Sequence, residues 1–295
     1  MIKTRKGDII VTNEGQNKFL KRLYGSVWGR CLLKFMTAPF LSRAAGAFMD
    51  SRCSKLMIKP FIRRSGIDMS QFEQRKFRSY NDFFTRKVLP GKRPVDMTPE
   101  HLISPCDSKL TVYRIDRRSI FRIKGSRYRV SDLLGSKKLA ESFRGGLCLI
   151  FRLEVDDYHR YCYFDSGRKS ENVFIPGELH TVNPIALERY NIYKRNSREY
   201  TLLDTDNFGR AAQIEVGAMM VGRICNCDGA GNIVRGNEKG KFEFGGSTIV
   251  VLLEKDRADI DGDIMKNSSE GFETAVKYGE RIGSACHSRG TEASV

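Results

Sequence analysis

The chain has 295 residues, of which 40% are hydrophobic and 29% are charged. This is enough to bury one sizeable core, and the composition argues against wholesale disorder. Lys and Arg number 51 against 35 Asp and Glu, a formal net charge of +16 that favours an anionic partner: nucleic acid, an acidic membrane or a phosphorylated substrate. Eight scattered cysteines fit no disulfide framework, so we expect reduced thiols.

The N-terminal segment carries most of the excess charge. Residues 1–65 hold 14 Lys and Arg against three acidic residues, about +11 of the total. Between residues 17 and 64, apolar side chains recur at helical spacing among these cations, a pattern typical of amphipathic helices at a membrane interface. We predict a membrane-binding region over residues 1–65, although a helical subdomain packed on the core fits the same pattern. The apolar side chains expected at the membrane are Trp28, Leu32, Phe35 and Phe40.

The same segment does not predict a membrane-spanning or exported chain. Lys34 and Arg43 interrupt its most hydrophobic stretch, and a spanning helix needs roughly 18 uninterrupted apolar residues. Residues 1–16 lack the apolar core of a secretory signal. We expect peripheral binding to the cell membrane on its cytoplasmic side.

A short helix and then a series of strands are predicted after the basic region. Residues 79–93 predict a helix that is capped at Ser79 or Asn81 and ended by Pro90 and Gly91. Beyond residue 103, segments rich in β-branched and aromatic residues alternate with turns. The strands predicted from them cover residues 110–115, 119–123, 147–155, 172–176, 199–204, 211–221 and 248–254. The expected fold is α+β, with a mainly β core, sandwich-like or barrel-like, over residues 66–295 and amphipathic helices before it.

Four polar residues lie at predicted strand ends or in turns, where functional side chains gather. His159 follows a strand-like run in VDDYHRYC, and His180 lies between two turns in PGELHTVNP. Asp107 occurs in ISPCDSKL, and Ser247 follows two glycines in FEFGGSTIVVLLE. Paired glycines permit backbone strain beside the serine. Each of these residues alone also fits a purely structural role.

A metal site was considered at the cysteines. Cys225 and Cys227, with Cys286 and His287, supply four potential zinc ligands, but their spacing matches no familiar zinc motif. We therefore assign no metal and interpret these cysteines as packed or surface thiols.

Eight segments together resemble the phosphatidylserine decarboxylase family, in the right order over residues 70–283. They are NDFFTRKVLPGKRPVD, SPCDSKL, DDYHRYC, LHTVNPIAL, NSREYTLL, FGRAAQIEVGAMMVGRI, EKGKFEFGGSTIVVL and ETAVKYGERIG. The resemblance implies that the chain cleaves its own Gly246–Ser247 bond, giving a β chain of residues 1–246 and an α chain of residues 247–295. Ser247 would become a pyruvoyl cofactor. Its ketone would accept the electrons that remain when phosphatidylserine loses carbon dioxide and becomes phosphatidylethanolamine.

The same resemblance implies roles for individual residues, and a homodimer. Asp107 is the acid of a charge relay for self-cleavage, and His159 returns a proton to the substrate carbon. Many family members carry a second histidine three residues after the one in DYHR, where this chain has Cys162. Either His159 serves both steps, which we favour, or His180 supplies the cleavage base. Cys162 is the weaker base because an unperturbed thiol is largely protonated at neutral pH.

Other functions remain as alternatives. A pyruvoyl-dependent decarboxylase of a soluble amino acid would use the same serine chemistry but leaves the basic N-terminal region unexplained. A basic nucleic-acid-binding protein fits the pI of about 9.6, and a structural membrane-associated protein fits the helices, yet neither explains the GGST, DYHR and SPCD segments. We therefore expect phosphatidylserine and an anionic membrane surface as partners, and no nucleic acid.

Overall fold

The centre of the molecule is a sheet of eleven strands. A computed structural model describes residues 1–10, 39–118, 120–123, 126–177, 196–217, 223–244 and 247–286. In spatial order the strands are β14 (Gly231–Ile233), β9 (Gly167–Lys169), β11 (Arg198–Thr205), β12 (Gly209–Gly217), β16 (Ser247–Leu253), β7 (Leu147–Leu153), β4 (Ser108–Arg114), β18 (Glu273–Val276), β1 (Ile2–Lys3) and β2 (Ile9–Ile10), with β10 (Val173–Ile175) paired to β11. The pairs are antiparallel except for β1 with β18, which is parallel.

Smaller sheets and short helices surround this large sheet. One three-stranded sheet consists of β13 (Ile224–Asn226), β15 (Glu238–Phe242) and β8 (Arg160–Cys162), and a second of β17 (Ala258–Ile260), β19 (Arg281–Ala285) and β3 (His101–Ile103). Strands β5 (Ile120–Ile123) and β6 (Ser126–Arg129) form a hairpin. The helices are α1 (Pro39–Asp50), α2 (Ile58–Ser65), α3 (Tyr80–Phe84), α4 (Val130–Leu134), α5 (Lys137–Glu141) and α6 (Gly262–Ser269), with 3₁₀ turns at Arg52–Met57 and Met69–Gln71.

The large sheet is buried on both faces. One face packs against the β5–β6 hairpin and helices α4 and α5, and the other packs against both three-stranded sheets. Successive side chains on a strand point to opposite faces, so a strand covered on both sides needs an almost continuous apolar run. Strands β7 (LCLIFRL) and β16 (STIVVLL) have this composition, and every residue in them is buried.

The structure confirms the α+β class and the mainly β core. Each of the seven predicted strands is present, with ends displaced by a few residues where the chain is described. Ser79 caps α3 as predicted, because its side chain accepts a hydrogen bond from the Asp82 N–H. The predicted helix length is wrong, since α3 ends at Phe84. The cause is tertiary pairing: the backbone N–H of Leu89 donates to Gln71, and that of Glu73 to Lys87, which keeps this segment extended.

The N-terminal region contributes to both the sheet and the helices. Strands β1 and β2 extend the large sheet, and Arg5 contacts the carboxylates of Asp261, Asp263 and Glu280. Helices α1 and α2 pack on α3 through an apolar cluster that includes Met49, Ile58, Tyr80, Phe83 and Phe84. These contacts cross the boundary that the sequence predicts at residue 65.

The membrane role of residues 1–65 stays a prediction. Trp28, Leu32 and Phe35 lie outside the described residues, as does the side chain of Phe40. Among the described helices, none combines the length and the apolar character needed to cross a bilayer.

An ion pair joins the large sheet to the first three-stranded sheet. Lys239 on β15 reaches both carboxylate oxygens of Glu215 on β12 at 2.9 Å, and both side chains are completely buried. Asn226 on β13 accepts a further hydrogen bond from the ammonium at 3.0 Å. Burial raises the pKa of Glu215, and the ammonium of Lys239 opposes that rise. The ionised state of the Glu215 carboxylate therefore depends on Lys239.

We expect the Lys239→Met substitution to lower the free energy of unfolding by about 3–5 kcal/mol, because it leaves the Glu215 carboxylate buried without its cation. Urea unfolding of the variant measures the loss. The double variant Lys239→Met/Glu215→Leu is the control and should recover much of the lost stability, since it removes both charges. A loss below about 1 kcal/mol in the single variant would contradict the importance of this pair.

Candidate active site

Ser247 lies at the edge of the space between the large sheet and the first three-stranded sheet. It is the first residue of β16, and its neighbours across the sheet are Gly217 on β12 and Leu153 on β7. Its side chain shares a face with Ile249 and Val251, which pack in the core against the small sheets. Within the described part of the chain, the buried hydroxyl has no hydrogen-bond partner. The serine oxygen is thus removed from water and left available for chemistry.

His159 lies beside this end of the sheet. Its backbone carbonyl accepts a hydrogen bond of 2.9 Å from the N–H of Phe242, five residues before Ser247. The imidazole is completely buried, and Nδ1 lies 3.0 Å from the carbonyl oxygen of Asp157. A carbonyl can only accept, so the proton is on Nδ1 and Nε2 carries a lone pair. Nε2 is also without a partner among the described residues.

The environment of His159 strongly favours the neutral imidazole. Burial lowers its pKa to about 3; the hydrogen bond to Asp157 opposes this shift, and the charges of Arg86 and Lys109 reinforce it. Aromatic rings surround the site: Phe84 lies 4.1 Å from the imidazole, measured between ring centres, and 5.3 Å from Phe244. A neutral imidazole whose Nε2 has no partner among the described residues can accept a proton, but the burial that lowers its pKa also weakens it as a base.

The structure places Asp107 near the site but does not bond it to His159. Its carboxylate accepts hydrogen bonds from Arg93 at 2.7–3.0 Å and from the backbone N–H of Tyr278 at 2.8 Å, and Lys277 lies at 3.5 Å. Burial opposes its ionisation, but the hydrogen bonds from Arg93, together with Lys277, outweigh burial and lower its pKa. Asp107 is therefore a charged, buried carboxylate that acts on His159 only through its electric field. Asp107 makes no hydrogen bond to His159 among the described residues, and its part in a charge relay stays a prediction.

Of the remaining candidates, the structure describes Cys162 but not His180 or Gly246. Cys162 is buried, and burial raises the pKa of its thiol to about 12, which makes it a still poorer base than an exposed cysteine. His180 and Gly246 lie outside the described residues, so the choice between His159 and His180 stays a prediction. The described residues contain no group of three His, Cys, Asp or Glu side chains arranged to hold a metal ion.

Two residues that contact the imidazole are not indicated by the sequence motifs. Asp157 supplies its backbone carbonyl to Nδ1, while its carboxylate accepts a hydrogen bond of 2.6 Å from Lys109. Phe84 supplies the ring that packs on the imidazole. Asp157 was recognisable only as part of the DDYH run, because a backbone carbonyl has no side-chain signature. Phe84 looked like an ordinary core residue of a helix.

Comparisons with known proteins give a consistent result. Residues 80–284 match the family profile described as phosphatidylserine decarboxylase. A protein of Clostridium acetobutylicum, named phosphatidylserine decarboxylase proenzyme 2, is 47% identical over 94% of this chain and 95% of its own length. Proteins named phosphatidylserine decarboxylase proenzyme are 42% identical in Ruminiclostridium cellulolyticum, over 97% of both chains, and 41% identical in Clostridium perfringens, over 90% and 92%.

The low pKa of His159 leads to a prediction about stability. Its pKa is about 3 in the folded chain against an ordinary value of 6.5, so between these values the unfolded chain binds more protons at this residue. The contribution of neutral His159 to the free energy of unfolding is complete above pH 6.5 and is lost as the pH falls toward 3, by at most about 1.4 kcal/mol per pH unit. In the Ser247→Ala background, which keeps both proteins uncut, His159→Gln should remove this slope, as measured by urea unfolding between pH 7 and 4.5. An equal slope in the variant would contradict the neutral, buried state.

Proposed function

Because the chain belongs to the phosphatidylserine decarboxylase family, we propose that it is a proenzyme that cleaves itself at Gly246–Ser247 and converts phosphatidylserine to phosphatidylethanolamine and carbon dioxide. The observation that carries this proposal is that two buried atoms, each without a hydrogen-bond partner among the described residues, belong to segments that meet at one end of the core. They are the hydroxyl oxygen of Ser247 and Nε2 of His159. A nucleophile and a neutral base without competing hydrogen bonds are what self-cleavage requires.

Self-cleavage begins when Nε2 of His159 accepts the proton of the Ser247 hydroxyl. The serine oxygen attacks the carbonyl carbon of Gly246, the C–N bond of that peptide breaks, and an ester links the two residues. Removal of the α proton of residue 247 then expels the Gly246 carboxylate and leaves dehydroalanine. Addition of water to dehydroalanine releases ammonia and gives a pyruvoyl group at the new N-terminus. The buried serine of the structure is a suitable precursor for this group.

The neutral state of His159 also defines its part in decarboxylation. A pyruvoyl group at residue 247 supplies a ketone that accepts the electrons left by the departing carboxylate. A neutral imidazole that carries its proton on Nδ1 holds none on Nε2, so His159 must obtain one during turnover. The ammonium of the substrate is the natural source, because its nitrogen must lose protons before it can react with a ketone. We propose that His159 takes that proton and delivers it to the carbon that has lost carbon dioxide.

The membrane part of the proposal is supported by an exposed surface before α3. Leu56 and Met57 expose 83% and 39% of their surface, and Phe48 exposes 47%. Exposed cations lie in the same segment: Arg52, Lys55, Lys59, Arg63 and Arg64. Apolar side chains among cations match an anionic bilayer, where the substrate resides. We propose peripheral binding of this surface to the cytoplasmic side of the cell membrane; the dimer implied by the family stays a prediction.

The first test concerns maturation. The unchanged chain should appear as two fragments, residues 1–246 and 247–295, and the intact mass of the smaller one should show a pyruvoyl end in place of serine. Ser247→Ala should give one uncut chain without decarboxylase activity, because the hydroxyl is both nucleophile and cofactor precursor. Thr248→Ala is the matched control, since it removes the neighbouring buried hydroxyl and should still be cut. An uncut chain with full activity would overturn the proposal.

The second test separates the polar residues of the site. His159→Ala should abolish cleavage. Asp107→Asn should slow cleavage, because the variant lacks the negative charge that stabilises the imidazolium formed when Nε2 takes the serine proton. Denaturing gels of freshly synthesised chains, sampled over time, measure both rates. His180→Ala is the deciding comparison: if it blocks cutting while His159→Ala matures, His180 is the cleavage base and the preferred assignment is wrong.

The third test concerns the membrane surface. Lys55→Glu/Lys59→Glu should lower the partition coefficient onto phosphatidylserine-containing vesicles by at least about tenfold, because each cation near an anionic surface contributes about 1 kcal/mol. Sedimentation measures this, and raising the salt concentration should weaken binding of the unchanged chain. The control is Lys137→Glu/Lys138→Glu, which reverses two exposed charges on α5. Equal losses in both variants would show that net charge, and not this surface, drives binding.

A further inference from the structure

Arg86 is a buried cation without an ion-pair partner in the described part of the chain. The residue is 1% exposed, and its guanidinium lies 4.4 Å from the ring centre of Phe72 and 5.0 Å from that of Phe83. Burial lowers its pKa to about 10, so the group is still charged at neutral pH. Burying a charge without a counter-ion costs several kcal/mol, and an apolar side chain would fill the same space without that cost. The charge at this position therefore calls for an explanation.

The guanidinium contacts the two groups that hold the imidazole of His159. Its Nη2 lies 3.3 Å from the carbonyl oxygen of Asp156 and 3.5 Å from that of Asp157, the oxygen that accepts Nδ1–H of His159. Its Nη1 lies 3.5 Å from the carbonyl oxygen of Phe84, whose ring packs on the imidazole. One rigid fork thus spans the carbonyl that accepts from His159 and the backbone carbonyl of Phe84, the residue whose ring packs on the imidazole.

This arrangement acts on the Nδ1 side of the imidazole and leaves the Nε2 side open. A carbonyl oxygen has two lone pairs, so Asp157 can accept from Arg86 and His159 together. The charged groups that act on the imidazole are Arg86 and Lys109, which oppose its protonation, and Asp107, which favours it. A guanidinium that binds the Asp157 carbonyl is therefore suited to keep the acceptor of the Nδ1–H in position.

We propose that Arg86 is the positioning residue of His159: it fixes the Asp157 carbonyl and the backbone of Phe84, so that the imidazole donates from Nδ1 and presents Nε2 to Ser247. The inference rests on the proposed function for the role of His159 as the base. Arg86 itself touches no reacting atom.

The direct test reads the tautomer of His159 without requiring activity. The chain has four histidines, so nitrogen-15 histidine spectra of the uncut Ser247→Ala chain are simple, and His159→Gln assigns the signal. The parent should show a single Nδ1–H tautomer, whereas Arg86→Met should show both tautomers. Arg198→Met is the matched control, since Arg198 is a buried guanidinium that donates to the carbonyls of Leu133 and Asp132 and does not contact His159. That control should leave the His159 signal unchanged.

A second experiment measures the rate of self-cleavage in the chain that retains Ser247. Arg86→Met should slow self-cleavage at least about tenfold and move the acid limb of its pH profile upward by about one unit, because a nearby positive charge is lost. Arg86→Lys keeps the charge but cannot span the carbonyls, so the acid limb should return while both tautomers persist. If Arg86→Met does not fold, the lysine variant decides.

An unchanged single tautomer in Arg86→Met, or in Arg86→Lys where that variant decides, overturns the inference. If the unchanged chain never cleaves, the proposed function fails, but the tautomer measurement still decides the role of Arg86.

Discussion

Removal of water from a few polar atoms is the constraint on which the site depends. Ser247 and His159 lie where the large sheet meets a smaller one, and packing on both sides excludes solvent from them. The same burial that gives the core its stability makes a charged imidazole unfavourable and leaves a serine hydroxyl without hydrogen-bond competition. Reactivity and stability are therefore opposed in the proposed site, where the described residues leave the Ser247 hydroxyl and Nε2 of His159 without hydrogen-bond partners.

Most of the charges around the neutral imidazole belong to ion pairs. Asp107 is neutralised by Arg93 and Lys277, and the Asp157 carboxylate by Lys109. Arg86 remains as the cation without a carboxylate among the described residues close to the imidazole. The helical cluster takes part as well, since Phe84 belongs both to the packing of α1 to α3 and to the wall of the site. The N-terminal helices and the histidine thus share one set of aromatic contacts.

Much of the fold and of the candidate site could be predicted from the sequence. The features that could not be predicted depend on tertiary contacts or on backbone groups. Continuous apolar runs predicted β7 and β16 because strands buried on both faces require them. The end of α3 could not be predicted, since the pairing of residues 87–89 with 71–73 is tertiary. Motifs found Ser247 and His159, but the true partners of Asp107 lie 14 and about 170 residues away, and no local pattern reveals them. The acceptor of Nδ1 is a backbone carbonyl, which every residue possesses.

The position of β16 has a consequence for the matured protein. This strand begins at Ser247 and lies between β12 and β7, while β18 pairs with β1 from the first residues of the chain. Cutting before Ser247 therefore leaves two polypeptides whose strands alternate in one sheet, so neither has a complete core without the other. Folding of the precursor is a first-order event, but refolding of the cut protein requires two chains to meet. Self-cleavage converts a concentration-independent folding reaction into a bimolecular one, and a sheet that forms before the bond is broken avoids the bimolecular step.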